Sequence, residues 1–240
     1  MRVRFRYTPP SRLVPAEVDA LWALYATAFE TTREAFEASL RRADDVLRFY
    51  DRSSGELCGM SLVSAWAAEH AGRPFRVIWT GAALLKPEYR GINALHRAGL
   101  WRLARERARH PLARILWFFD TFSVKSYVML PRNELFEYWP RLDRPTPEWE
   151  QGVIDTLCRA AAPDAWDPVR GVIGCQGRRL KPGVADAPPD HPDPHVRFFL
   201  ERNPRYREGE RLPCLVPLTP RNVASIITSG VRRMLRRRKR

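Results

Sequence analysis

"LLKPEYRGINALHRAGLWRLARERARHP", residues 84–111, changes character in its middle. It opens as the end of an apolar run, breaks at Lys86-Pro87, turns through Arg90-Gly91 and continues as a long, arginine-rich helical pattern. A strand that ends in a glycine turn and enters a helix leaves several backbone N–H groups unpaired at the helix start. They point outward with the positive end of the helix dipole behind them, which makes an anion site. Gly91 removes the Cβ that would block a close approach, and Arg90, Arg97 and His96 add positive charge. A plain surface turn with solvated arginines fits the local pattern as well.

Outward from this turn the pattern is mixed. Residues 2–7 alternate as a strand. Residues 15–29 and 31–43 read as two helices, the second entered through Thr31-Thr32 as its cap. "VLRFYDRSSGELCGMSLVSAWAA" (46–68) is two apolar strands joined by a polar turn at 52–55, and "FRVIWTGAALL" (75–85) is another. The helix from the quoted segment ends at His110-Pro111. "ARILWFFD" (113–120) then reads as a strand covered on both faces. A short helix, 123–130, precedes Pro131, and "ELFEYWP" (134–140) predicts a further strand. Beyond it come a helix over 146–162, a strand within "VRGVIGCQG" (169–177), a Pro-rich loop at 181–195, a helix over 195–202 and a strand over 211–217.

Composition narrows the partners. There are 41 Lys+Arg against 27 Asp+Glu, a net charge of +14, and only four of the basic residues are lysines. Such a surplus points to an anionic partner: nucleic acid, an acidic membrane surface or a phosphorylated ligand. Cys58, Cys158, Cys175 and Cys214 are far apart and form no C-x-x-C pair, so they read as reduced thiols. "MRVRFRYTPP" lacks the apolar region of a signal peptide, and no stretch of about 18 apolar residues exists to span a membrane. A cytoplasmic location is the resulting expectation.

The element order β-α-α-β-β-β-α-β-α-β, with the turn at Arg90 after the strand ending at Leu85, resembles the GNAT (GCN5-related N-acetyltransferase) superfamily. The resemblance covers residues 1–140. That family's R/Q-x-x-G-x-G/A signature falls on "RGINAL", preceded by a typical "PEYRG". Arg90 fills the first position, while Asn93 and Leu95 stand where Gly and Gly/Ala are expected. Asn tolerates unusual backbone angles better than most residues. The resemblance implies an α/β, GNAT-like acyl-CoA N-acyltransferase fold with a mixed central sheet flanked by helices. Residues 1–140 would form the acyl-CoA-binding core, and 141–240 a C-terminal extension that includes the last sheet strand. Acyl-CoA would be held by Leu84, Leu85, Lys86, Arg90, Gly91, Ile92, Asn93, Ala94 and Leu95, with pantetheine along the edge of strand 77–85. The family's N-x-x-A-x-x-x-Y maps onto Asp120, Ser123 and Tyr127, so Tyr127 is the implied proton donor to the departing thiolate. Tyr127 serves equally as a core residue between helix and sheet.

An amine acceptor needs a general base. Asp120 is the nearest acidic residue and doubles as a cap for the following helix; Glu69-His70 is second. "DHPDPH" (190–195) reads as a loop held extended by its prolines, and no metal is expected. Trp66, Trp79, Trp117, Phe118, Phe119 and Trp139 form either core or the wall of a tunnel for a long or bulky acyl group. The stretch 221–240 pairs an apolar stripe (Val223, Ile226, Ile227, Val231, Met234, Leu235) with a basic side. It suits packing on the protein itself or peripheral contact with an anionic membrane surface. The leading function is acyl transfer from acyl-CoA to an amine. A nucleic-acid-binding protein and a catalytically inactive GNAT-shaped interaction protein are the alternatives.

Overall fold

The computed structural model of the chain describes residues 2–91, 93–132, 136–226 and 228. Its centre is a six-stranded sheet of β1 (Val3–Thr8), β3 (Asp45–Asp51), β4 (Leu57–His70), β5 (Arg73–Leu85), β6 (Ile115–Thr121) and β10 (Leu212–Pro217), in that spatial order. All pairs are antiparallel except β5–β6, which is parallel. A parallel pair needs a crossover, and α3 (Ala94–Arg109) supplies it. Before β3 come α1 (Pro15–Tyr25), the two-residue β2 (Phe29–Glu30) and α2 (Arg33–Arg42). Thr32 caps α2, its hydroxyl accepting from the Ala35 N–H at 3.2 Å. After β6 follow α4 (Val124–Tyr127), α5 (Glu148–Ala161), β7 (Trp166–Asp167), β8 (Val172–Ile173), β9 (Arg179–Leu180) and α6 (Pro194–Arg202).

Side chains alternate across the sheet, so the register divides its two faces. Tyr7, Leu47, Ser61, Val63, Ile78, Thr80 and Trp117 share the face that α3 covers. Tyr7 fastens α3 to β1: its hydroxyl donates to the Ala98 carbonyl at 2.9 Å and its ring stacks on Trp101. Beneath the same helix, Arg102 bonds Asp45 at 2.6 Å and Glu106 at 3.4 Å, and Arg76 bonds Glu106 at 3.0 Å. Two cations balance two carboxylates there, so the buried cluster is neutral. On the other face, Val153, Ile154 and Leu157 of α5 pack with Phe75, Val77, Leu116, Phe118 and Leu215. Residues after 141 therefore complete both the sheet and its cover.

Three expectations change. The helix from residue 15 stops at Tyr25, and Phe29 instead pairs with Leu180 in a small separate sheet. The strand expected at 134–140 does not form over its described residues: only Trp139 bridges to Leu215. The reason is local. Asn222, fully buried, accepts from the Glu137 N–H at 2.9 Å and donates to the Glu137 carbonyl at 2.8 Å, replacing a ladder with a side chain. Within 169–177, only Val172–Ile173 pairs as a strand, with β7. The strand expected at 211–217 is β10.

Residues 220–226 are helical, with Val223 and Ile226 packed against the protein's own core. The remainder of the basic amphipathic stretch, apart from Thr228, lies outside the described residues.

Candidate functional site

Strands β5 and β6 part company. They pair from Arg76↔Ile115 to Trp79↔Phe118, and no further. Residues 80–85 continue alongside β4, while Phe119–Thr121 continue alongside β10. A fork opens between them, and one backbone edge of 80–85 has no partner strand among the described residues. Thr80 closes the bottom of this fork by accepting from Trp117 Nε1 at 2.8 Å. On the other side of β5 the register slips: Met60 faces Leu84 and Leu62 faces Gly81, two steps on β4 against three on β5. The extra residue forms a bulge, where Ala82 takes a left-handed φ of 51°. For a non-glycine residue that conformation costs about 1–2 kcal/mol. Bulges re-aim backbone groups, and this one sits beside the open edge.

Past Leu85 the chain makes the turn that leads into α3. Lys86 N–H bonds the Cys58 carbonyl, and Arg90 Nε donates to the Leu85 carbonyl at 3.2 Å, which folds the turn back on the strand. Gly91 has φ 75° and Asn93, the residue capping α3, φ 59°. Asn93 makes no side-chain cap bond. The first N–H groups of a 16-residue helix are thus left without a side-chain acceptor, with exposed Gly91 beside them. Asn93 stands where a glycine was expected and still adopts the left-handed conformation, as its side chain allows.

Between α3 and the sheet lies an apolar cavity of about 200 Å³. Leu47, Val63, Ile78 and Trp117 form its floor; Leu95, Gly99 and Leu103 form its roof; Met129, Phe136, Leu218 and Ile226 close one side. Gly99 matters here because a Cβ built on it meets nothing within 4 Å.

The residues singled out in the sequence divide. Arg90, Gly91, Asn93, Ala94 and Leu95 come together at the start of α3, and Leu95 reaches the cavity. Ile92 lies outside the described residues. Leu84 and Leu85 are buried with their backbone on β4, and the Lys86 ammonium is tied to Glu56. Tyr127 is fully buried among Tyr138, Phe198 and Phe199, and its hydroxyl donates to the Pro140 carbonyl at 3.1 Å. Burial drives its phenol far above the ordinary tyrosine range. It is not among the cavity-lining residues. Tyr127→Phe is therefore expected to cost about 1 kcal/mol of stability, the net worth of one hydrogen bond. Chemical denaturation of the two proteins reads the difference, and equal stability would mean that the hydroxyl bond contributes nothing.

Asp120 lies on the face opposite the cavity, where it bonds Arg211 at 2.5 Å. His70 shares a hydrogen bond of 3.0 Å with Thr156 on α5, at the end of β5 remote from the fork. Of the aromatic set only Trp117 lines the cavity. Phe118, Phe119 and Trp139 are core, Trp79 is half-buried and Trp66 is exposed. Asp193 caps α6 through the His195 N–H, and its own N–H bonds His191 Nδ1. Among the described residues no group of three His, Cys, Asp or Glu is placed to hold a metal ion. Cys58, Cys158 and Cys214 are buried thiols and Cys175 is exposed. No described helix is long and apolar enough to cross a membrane.

Sequence reasoning missed the fork, the roof opening at Gly99, and Arg178 and Arg211 beside Asp120. Gly99, on the same face of α3 as Leu95 and Leu103, was the one available signal.

No protein-family model and no curated protein matches the chain. Solved structures similar to it include a probable N-acyltransferase of Enterococcus faecalis V583, at 20% identity over 60% of this chain with a TM-score of 0.40. The chain spans only 38% of that protein's length. A GNAT family N-acetyltransferase of Escherichia coli in complex with CoA is 16% identical over 56% of this chain and 70% of its own, with a TM-score of 0.38. An acetyltransferase of Trypanosoma brucei is 18% identical over 60% of this chain and 99% of its own, with a TM-score of 0.39. Likenesses this loose carry no activity across, and the chain's own topology decides. The expected element order through β6, the parallel β5–β6 pair joined through α3 and the mixed sheet flanked by helices are all present, and this chain has a GNAT-like fold.

Proposed function

We propose that the protein is a divergent GNAT-type enzyme that transfers an acyl group from acyl-CoA to an amine. The observation that carries this reading is the open β5 edge running directly into a helix start without a side-chain cap, with an apolar cavity alongside. The N–H groups at the start of α3, with Gly91 and Arg90, suit the pyrophosphate. The unpaired edge of 80–85 suits the amides of the pantetheine arm. This is a shorter edge than strand 77–85, because Val77 to Trp79 are already bonded to β6. When bound, the thioester supplies an acyl carbon open to attack. The amine nitrogen forms the C–N bond, the C–S bond breaks, and the proton lost by the amine balances the thiol released.

The cavity supports an acyl group larger than acetyl. Its volume of about 200 Å³ exceeds the ~150 Å³ of an engineered apolar cavity that accepts benzene. Each methylene buried there contributes about 0.8 kcal/mol, roughly a fourfold gain in affinity. Binding of acyl-CoAs from acetyl to palmitoyl, followed by calorimetry, tests the reading. Affinity should climb with chain length and then level off, and mass spectrometry should find the acyl group on an added amine. Failure to bind any member of the series refutes it.

Gly99→Leu is expected to separate the short chains from the long. Gly99 lines the cavity at the protein surface, and a Cβ there meets no obstacle, so a leucine side chain is expected to narrow the cavity mouth. Octanoyl-CoA affinity should fall at least tenfold, acetyl-CoA affinity should stay within twofold, and stability should hold or rise by about 0.5–1 kcal/mol as glycine leaves a helix interior. An unchanged chain-length preference would place the acyl group elsewhere.

A further inference from the structure

Behind the fork, on the sheet face away from the cavity, polar groups gather at the end of β6. Asp120 alternates with Phe119 and so projects to that opposite face. Its side chain is 8% exposed. One carboxylate oxygen accepts from Arg211 at 2.5 Å, and the other, Oδ1, is buried with no hydrogen-bond partner. Within reach of the Asp120 charge, half-buried Arg178 has its guanidinium over the Phe122 ring at 5.4 Å and donates to the Tyr25 hydroxyl at a long 3.4 Å. No carboxylate among the described residues forms an ion pair with Arg178. The group therefore holds two guanidinium cations against one carboxylate. This contrasts with the balanced cluster beneath α3.

We propose that this group is the acceptor subsite and that it selects an amine bearing an oxyanion, a carboxylate or a phosphate. The proposal rests on the acyltransferase reading, which puts the acyl donor on the cavity side and leaves this side of the fork to the acceptor. The two unmet needs are complementary. Buried Asp120 Oδ1 lacks a donor, and an ammonium supplies one. Arg178 has no ion-paired carboxylate among the described residues, and its planar fork matches an oxyanion held by two parallel hydrogen bonds. A zwitterionic small molecule answers both at once, its ammonium donating to Asp120 Oδ1 and its oxyanion accepting from Arg178. An ammonium without an oxyanion answers only the first. Leaving the buried Asp120 oxygen unmet is costly, and an oxyanion on Arg178 adds a charge-assisted bond that a ligand without one cannot make.

Ligand-observed NMR of the full chain, without acyl-CoA, tests this against matched pairs: the common α-amino acids and their amides, and phosphoethanolamine and ethanolamine. At least one member carrying the oxyanion should bind, with its counterpart lacking the oxyanion at least tenfold weaker. The amino-acid and phosphoethanolamine arms tell carboxylate from phosphate. Arg178→Gln should weaken the oxyanion-bearing ligand roughly tenfold or more, the worth of a charge-assisted bond, and Arg178→Lys should restore part of it. Acyl-CoA affinity, measured on the same samples, should be unchanged by either substitution. No oxyanion-bearing member bound, equal binding of both members of every pair, or binding indifferent to Arg178→Gln overturns the proposal. Loss of acyl-CoA binding in the wild type refutes the acyltransferase reading instead, and the two results are read independently.

Discussion

Arg211→Ala is expected to destabilise the fold by about 3–5 kcal/mol, the cost of breaking a buried ion pair by removing one partner. The pair is well desolvated, with Asp120 8% and Arg211 13% exposed. One oxygen of Asp120 already lacks a donor, so losing Arg211 strips the carboxylate of its only hydrogen bond among the described residues. Chemical denaturation of Arg211→Ala, Asp120→Asn and the double variant closes a thermodynamic cycle. The double variant should recover most of the loss, because the penalty comes from an uncompensated charge rather than from a missing contact. A cost below 1 kcal/mol for Arg211→Ala would mean that the pair is effectively solvated. The acceptor subsite would then lose its buried carboxylate.

Gly91→Glu is expected to lower CoA affinity by ten- to hundredfold in a folded protein. Gly91 is exposed and takes φ 75°, so a side chain there costs about 1–2 kcal/mol in backbone strain. The new carboxylate also stands at the helix start proposed for the pyrophosphate, where it repels the ligand and occupies the space meant for it. Gly91→Asn separates the two effects. Asparagine tolerates the left-handed conformation and carries no charge, so its affinity should lie near that of the wild type. Calorimetric titration with CoA reads both. Equal affinity in wild type and Gly91→Glu would remove the start of α3 from the proposed site.

The turn at 86–93 was legible because its chemistry is local: Pro87, Gly91 and Asn93 each constrain the backbone where they stand. The strands were legible for the same reason, as runs of apolar residues between polar turns. The fork was not, because it depends on where β6 stops pairing with β5, and nothing in "FRVIWTGAALL" marks Trp79 as the last rung. Tyr127 shows the limit of motif spacing. The tyrosine is in place in the sequence, yet α4 is a single turn, and Tyr138 and Phe199 pack on its buried ring. Both neighbours arrive from later segments. Arg178 and Arg211 were invisible for a related reason, since Arg211 meets Asp120 across 91 residues and no periodicity links them. "ELFEYWP" misled because a strand-like composition cannot reveal that Asn222 will take the backbone bonds of Glu137.

The pairing of β6 with β10 also sets a schedule. Asp120 faces Pro213, so one strand leaves the ribosome 93 residues ahead of its partner. At roughly 5–20 residues per second of synthesis, the nascent chain carries the apolar sequence "ILWFFDT" with an unsatisfied backbone edge for about 5–20 s. Such an edge is a template for pairing with other chains. Newly made copies are thus exposed to aggregation for an interval fixed by the length of the insertion, and shortening the segment between α4 and β10 would narrow that window in proportion.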